Sequence, residues 1–434
     1  MSDLYIFFDS PRNYEKQGLY YSEGSNPELL EQFLSFIDKN IEKISEIDIS
    51  LYLFNNLYLL DKLKTYIERG IIINIISIPL DGYDDRYKKD IVTRHGLKVI
   101  GNETKYSLAK KVYDEASILS SKVENFNLYI FPHKFVRSKK MKPFSRGILP
   151  YSLHIKSFLI KYKDGNGAVC LTSSNLATRD EVKENFLAII NNNQADVVKA
   201  CEYFDNLRSS SILLEDFDEK NGYFNYEIQK NESSKKPGHL FYIAPFYEDS
   251  PLKIKDKLIE LIKSAKDEIY ICAQHLACDT SNDKDILKEA LRATNRGVKI
   301  NFLSQTFVSS TGDNYGQRQP QNTYGFKKFI KLVENNSNTS YFVNRNFHSK
   351  FLIIDDWIVL TSCNITPTEF TYEGNVDIPK FDHIPGISYK GIFSEVGQFM
   401  IFKSDRGRNL LIQNFRDIIS SEDTYEHKGS LDRY

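Results

Sequence analysis

One feature constrains the fold of this chain more than any other: a chemically distinctive unit that occurs twice. Residues 153–177 read LHIKSFLIKYKDGNGAVCLTSSNLA, and residues 347–366 read FHSKFLIIDDWIVLTSCNIT. Each opens on His-x-Lys (His154 and Lys156, His348 and Lys350), runs through an apolar stretch and closes on Thr-Ser-x-Asn, ending at Asn175 and Asn364. The shared order points to an internally duplicated chain, and the question becomes what chemistry needs the unit twice.

The flanks repeat as well. Apolar runs at Ile49, Ile71, Leu97 and Asn127 alternate with segments of helical period such as LYLLDKLKTYIERG. The second half follows with EIYICAQHL, NDKDILKEALRATNRG, VKINFLSQ, YGFKKFIKLVENN and SYFVN. Strand and helix in alternation predict an α/β layered fold. Glu68-Arg69-Gly70 precedes IIINII as Asn295-Arg296-Gly297 precedes VKINFL, so in both halves a helix is expected to end at glycine and turn into a strand. The polar stretch QKNESSKKPG at 229–238 reads as the joint, which divides the chain into an N-terminal half, 1–230, and a C-terminal half, 238–434.

Composition sets the outer limits. With 434 residues, 41% of them hydrophobic and 26% charged, the chain can bury a core in each half. The net charge of −1 gives no global attraction to nucleic acid or anionic membrane, so any polyanion site must be local. No stretch of about 18 apolar residues suggests a membrane span. The N-terminus, MSDLYIFFDSPRNYEKQ, lacks the basic start and long apolar core of an export signal, so a cytoplasmic location is expected. The five cysteines are odd in number and lack CxxC spacing, which predicts reduced, buried thiols and not a zinc site at Cys272 and Cys278.

On a strand, residues i and i+2 share a face, so His154 projects with Lys156 and His348 with Lys350. A hairpin then returns to Ser173 and Asn175, or to Ser362 and Asn364, whose hydroxyls and amides would add neutral donors to the same edge. Cleaving a phosphodiester without a metal requires a nucleophile, a proton donor in line with it, and positive donors around the phosphoryl oxygens. Two such sets side by side supply all three. One histidine would form a phosphohistidine while the other protonates the leaving oxygen and then activates water. Each copy is therefore expected to give half of one composite site, with no cofactor and no metal.

The pairs His154-x-Lys156 and His348-x-Lys350-x4-Asp355, with their Thr-Ser-x-Asn tails, resemble the HKD motifs, HxKx4D followed by GSxN, of the phospholipase D superfamily. The resemblance covers both halves. It implies a duplicated α/β fold of two α/β/α halves related by a pseudo-twofold axis, metal-independent phosphodiesterase or transphosphatidylation chemistry, and a covalent phosphohistidine. Lys161 stands where the first motif would have Asp, and threonine replaces the glycine of GSxN in both copies. The missing acid looks more like the tyrosyl-DNA phosphodiesterase branch than like the lipases. The family often adds a downstream acid that orients a histidine; Glu395 suits that role, with Glu184 as the weaker first-half counterpart.

From these surroundings His348, with Asp355 on its strand and Glu395 as orienting acid, is the expected general acid, and His154 the expected nucleophile. The window between Glu124 and Asp164 holds no acid, and Lys134, Arg137, Lys139, Lys140 and Lys142 are interleaved there with Phe131, Phe135, Phe144 and Tyr151. That mix suits a nucleic-acid backbone and its bases. Nucleic acid is thus the expected partner and a nuclease the expected function, with no stable membrane insertion and a monomer containing an internal pseudo-dimer. A phospholipase-D-type lipid enzyme and a silent nucleic-acid-binding module are the alternatives. His275 and His133 read as polar loop residues.

Overall fold

The computed structural model describes residues 3–9, 28–52, 54–78, 105–131, 153–177, 184–217, 238–244, 247, 250–278, 283–305, 324–344, 346–370, 372–378, 387–393, 395–422 and 424–427. The expected strand at 97–101, most of the joint at 229–238 and the basic residues from Lys134 to Lys142 fall outside them.

Strand β1 (Asp3–Phe8) is followed by helix α1 (Glu28–Asn40), whose Leu29, Leu30, Phe33, Leu34 and Ile37 form one buried stripe. Then come β2 (Ile44–Ser50), α2 (Leu57–Ile67), β3 (Ile72–Ser77), α3 (Lys105–Ser120) and β4 (Phe126–Ile130). The first motif supplies β5 (Ser157–Tyr162) and β6 (Gly167–Thr172), and β7 (Phe186–Asn191), α4 (Gln194–Ser209) and β8 (Ile212–Leu213) complete the half. The second half runs β9 (Leu240–Ile243), α5 (Ser250–Ser264), β10 (Glu268–Cys272), α6 (Ile286–Ala293), β11 (Lys299–Ser304), α7 (Tyr324–Glu334) and β12 (Thr339–Asn344). Its motif forms β13 (Phe351–Ile354) and β14 (Trp357–Thr361). After these come α8 (Pro367–Phe370), the hairpin β15 (Tyr372–Ile378) and β16 (Ile387–Phe393), then β17 (Gly397–Lys403), α9 (Asp405–Ile419) and β18 (Thr424–Glu426).

The duplication is visible strand by strand. One eight-stranded sheet has the order β1-β7-β6-β5-β2-β3-β4-β8, and the other, read from β9, has the order β9-β17-β14-β13-β10-β11-β12-β18. In each, three strands linked through helices pair in parallel and three linked through hairpins or loops pair antiparallel. The repeat reaches further toward each half's start than the apolar runs suggest, because β1 and β9 also correspond. Strand β2 begins five residues before the ISLYLF run, since its Glu46 and Asp48 are paired with Lys161 and Arg208 and so stay within a strand.

Both expected glycine stops are present. Gly70 and Gly297 have φ of 82° and 86°, a left-handed conformation that β-carbon-bearing residues adopt at a cost.

Helices α1, α2 and α3 cover the outer face of the first sheet, and α5, α6 and α7 that of the second. A third cluster lies between the sheets and draws on both: Leu159, Leu171 and Tyr203 from the first half, Ile353, Leu360 and Phe415 from the second. Burying each such side chain contributes about 1.5–3 kcal/mol, so the halves are one folding unit. At the seam, Asp196 Oδ1 accepts from the backbone N–H of His239 and Leu240 at 2.7 and 3.1 Å, and Tyr203 stacks on Tyr242 with ring centroids 3.9 Å apart. No helix among the described residues is long and apolar enough to cross a membrane. The cysteines are free; four are buried and Cys201 on α4 is partly exposed.

Candidate active site

The two motifs meet at the seam between the sheets. Leu153 bridges to Val396 and Phe347 bridges to Glu184, so each His-x-Lys segment runs alongside the strand approach of the other half. The backbone N–H of His154 donates to Val396 O at 3.1 Å, and that of His348 donates to Glu184 O at 3.0 Å. Backbone pairing thus fixes both histidines before any side-chain contact is made.

The lysines are placed alike. Lys156 Nζ donates to the carbonyl of His154 at 2.8 Å, and Lys350 Nζ to that of His348 at 2.6 Å. Both are buried at 1% exposure or less. Burial first, then the Lys156 and Lys350 ammoniums, hold the His154 pKa well below the usual imidazole range. A cation from each half therefore acts on one ring, which makes the site composite.

The Thr-Ser-x-Asn turns explain their threonines. Thr172 Oγ1 accepts from Ser174 N–H and Thr361 Oγ1 from Cys363 N–H, each at 3.0 Å, so the hydroxyl closes the turn that delivers the asparagine. Ser173 and Ser362, expected to bind substrate, do not offer free hydroxyls. Ser173 Oγ accepts from Phe186 N–H at 3.1 Å and Ser362 Oγ from Gln398 N–H at 3.2 Å, which pins each turn to the neighbouring strand. Asn364 is buried, with Oδ1 accepting from His275 N–H at 3.1 Å; Asn175 is partly exposed at the equivalent turn.

Two expectations about the acids are corrected. Glu395 does not hold His348: its Oε2 lies 3.2 Å from Nδ1 of His154, across the seam. His348 Nδ1 is instead 2.8 Å from Oδ1 of Asn185, which also receives the Ser173 hydroxyl at 3.0 Å. Asp355 has its carboxylate engaged by backbone at the start of β10. Its carboxylate accepts from the backbone N–H of Lys266, Asp267 and Glu268 at 2.8, 3.1 and 3.0 Å, and it sits at φ 48° in the β13–β14 turn. Lys161, at the matching place, joins Glu46 and Asp48 at 2.9 and 3.0 Å, likewise away from the imidazoles.

Three residues come forward that the motifs did not single out as functional. Asn185 follows Glu184, and strand alternation sends its side chain to the opposite face, toward His348. Glu369 on α8, 4% exposed, lies with Glu395 and His154 in a group whose polar atoms are all within 4.8 Å of one another. His275 reaches the site through Asn364 and adds a third imidazole near His154. Glu184 itself offers its backbone to His348, while burial, with Asp9 and Asp417 nearby, raises its carboxyl pKa to about 8.

Residues 258–382 match a family model described as the PLD-like domain of cardiolipin synthase. No curated protein sequence matches the chain. Among solved structures, phosphatidylserine synthase from Haemophilus influenzae is 11% identical, with 93% of this chain and 88% of that one covered and a TM-score of 0.57. Polyphosphate kinase from Porphyromonas gingivalis is also 11% identical, at a TM-score of 0.53 over 99% of this chain. The chain spans only 53% of the length of that kinase. Yeast tyrosyl-DNA phosphodiesterase is 12% identical over 93% of this chain and 90% of its own, at a TM-score of 0.44, too low to bear on the branch.

Proposed function

We propose that this chain, with its PLD-like match over 258–382 and its likeness in fold to a phosphatidylserine synthase, is a metal-independent phosphodiesterase of the phospholipase D superfamily, and that its substrate is nucleic acid. The observation that carries the reading is that buried Lys156 and Lys350, one from each half, each hold the carbonyl of their own motif's histidine and both depress the pKa of His154.

Those two ammoniums match the charge that gathers on the phosphoryl oxygens in the transition state. With its Nδ1 toward Glu395, His154 has Nε2 as the attacking nitrogen. The N–P bond forms as the P–O bond to the leaving group breaks. Phosphorylated imidazole carries a positive charge, which the Glu395 carboxylate offsets. For His348, an amide oxygen can only accept, so Asn185 keeps the proton on Nδ1 and leaves Nε2 to donate to the leaving oxygen. In the second step the same nitrogen takes a proton from water, the hydroxide attacks phosphorus, and His154 is released.

Nucleic acid is favoured by the basic and aromatic residues that lead into the first motif, from Lys134 to Lys142. The second reading is transfer of a lipid headgroup. It is supported by the cardiolipin-synthase family match over 258–382 and by the likeness to a phosphatidylserine synthase. The test incubates the purified protein in EDTA with labelled single- and double-stranded DNA, RNA and phosphatidylcholine vesicles, with His154→Ala as control. Cleavage of a nucleic acid lost in that variant supports the proposal. Cleavage of lipid alone selects the second reading, and activity that requires magnesium overturns the mechanism.

A further inference from the structure

The two imidazoles have unequal support, and the inequality continues one residue further from the chemistry. Helix α8 and the β15–β16 hairpin occupy the stretch between Asn364 and Glu395, and α8 brings Glu369 to the site. Asn364, its Oδ1 engaged by His275 N–H, has its amide N–H groups left for Glu369. The Oε2 atom of Glu369 is buried, and among the described residues no N–H or O–H is directed at it.

Two carboxylates whose oxygens lie within 4.8 Å of each other, that of Glu369 buried and that of Glu395 partly so, repel by about 4 kcal/mol at 4 Å and an effective dielectric constant of 20. The nearby Lys350 is shared with the His348 carbonyl, so it does not neutralise both acids. A single proton between the carboxyls removes the repulsion and turns two acceptors into a donor and an acceptor.

We propose that Glu369 is held as the neutral carboxylic acid and donates its O–H to Glu395, so that Glu395 presents one negative charge to His154. Glu369 is then a positioning residue acting through Glu395. Burial first, and Glu395 second, drive the Glu369 pKa well above the carboxylate range, against the opposing pull of Asn364 and Lys350. The other titratable groups facing it are the His154 imidazole and the Cys363 thiol.

The consequence for turnover rests on the phosphodiesterase reading; the proton itself does not. The test is therefore an infrared difference spectrum of the full-length protein at neutral pH, wild type against E369Q. Glu184, whose carboxyl pKa burial also raises, is assigned separately with E184Q. A carboxylic-acid band that shifts in D2O and disappears in E369Q is expected. With substrate, E369A loses about tenfold to a hundredfold in kcat, and the conservative E369Q, whose amide also donates to Glu395, restores most of that loss. Absence of the band would overturn the proposal, as would stoichiometric Zn2+ binding at neutral pH by the wild type and not by E369Q. The band present in an inactive protein would leave this proposal standing and remove only the proposed function.

Discussion

His154 and Glu395 come from opposite halves of the chain, yet Nδ1 of the one lies 3.2 Å from Oε2 of the other. A carboxylate there favours the cationic imidazole, while burial and two lysines disfavour it and win, since the His154 pKa is depressed overall. In the proposed mechanism the ring is thus neutral before attack and has its counter-charge ready after it. E395Q keeps the shape and removes that charge, so kcat should fall by about a hundredfold with little change in KM. N185L, which removes the neutral acceptor shared by His348 and the Ser173 hydroxyl, should cost about tenfold. Steady-state kinetics on both variants check the order, and the reverse order would mean that the two partners' roles are exchanged.

Asp355 gives the contrasting case. Because its carboxylate ties down three backbone N–H groups, D355A should destabilise the protein by about 1–3 kcal/mol. Its kcat, measured well below the lowered unfolding temperature, should stay within about twofold of wild type. Denaturant unfolding and kinetics on the same preparation separate the two effects. A large loss of kcat in a stable variant would return Asp355 to the chemistry.

Glu184 predicts a pH dependence of stability. In the unfolded chain its carboxyl titrates near 4.5, and in the fold at about 8. Between those values the folded state holds a proton that the unfolded state has released, so stability falls as pH rises through the window and levels off above it. The slope reaches at most about 1.4 kcal/mol per pH unit. Glu369 contributes with the same sign, so the measurement is a comparison of melting curves across pH between wild type and E184Q. The variant should show a shallower decline; parallel curves would mean that Glu184 is ionised in the fold.

Asp196 tests the seam. The carboxylate holds two backbone N–H groups of the second half, His239 and Leu240, from the first turn of α4. D196A should cost about 2–4 kcal/mol and lower the single cooperative transition as a whole. Calorimetry resolving two transitions in the wild type would show that the halves fold independently.

Much of this was legible in the sequence because it is local and repeated. The His-x-Lys pairs, the Thr-Ser-x-Asn turns and the glycine stops at Gly70 and Gly297 are set by strand alternation and backbone handedness within a few residues. The contacts that cross the seam were not legible. Asn185 and Glu395 do not occupy equivalent places: Asn185 immediately precedes β7, whereas the residue immediately before Gln398 in β17 is Gly397, where a β-carbon would come within 2.1 Å of Cys363 Sγ. The orienting group of the second half therefore sits two residues earlier, at Glu395, so comparing the copies does not reveal the pair. Glu369 lies in a stretch with no first-half counterpart. Asp355 misleads for a related reason: spacing within a motif says which residues are near in sequence, and this carboxylate turns to the start of β10 and away from the imidazoles.

In the proposed mechanism His154 carries the phosphoryl group and His348 moves the proton. Its most direct test is quenching a single turnover of labelled substrate in alkali, which preserves phosphohistidine, and mapping the label by peptide mass spectrometry. Label is expected on the peptide containing His154, accumulating in His348→Ala when the leaving group is good and absent in His154→Ala. Label on His348 in the unmodified enzyme, or turnover without label on either histidine, would contradict it.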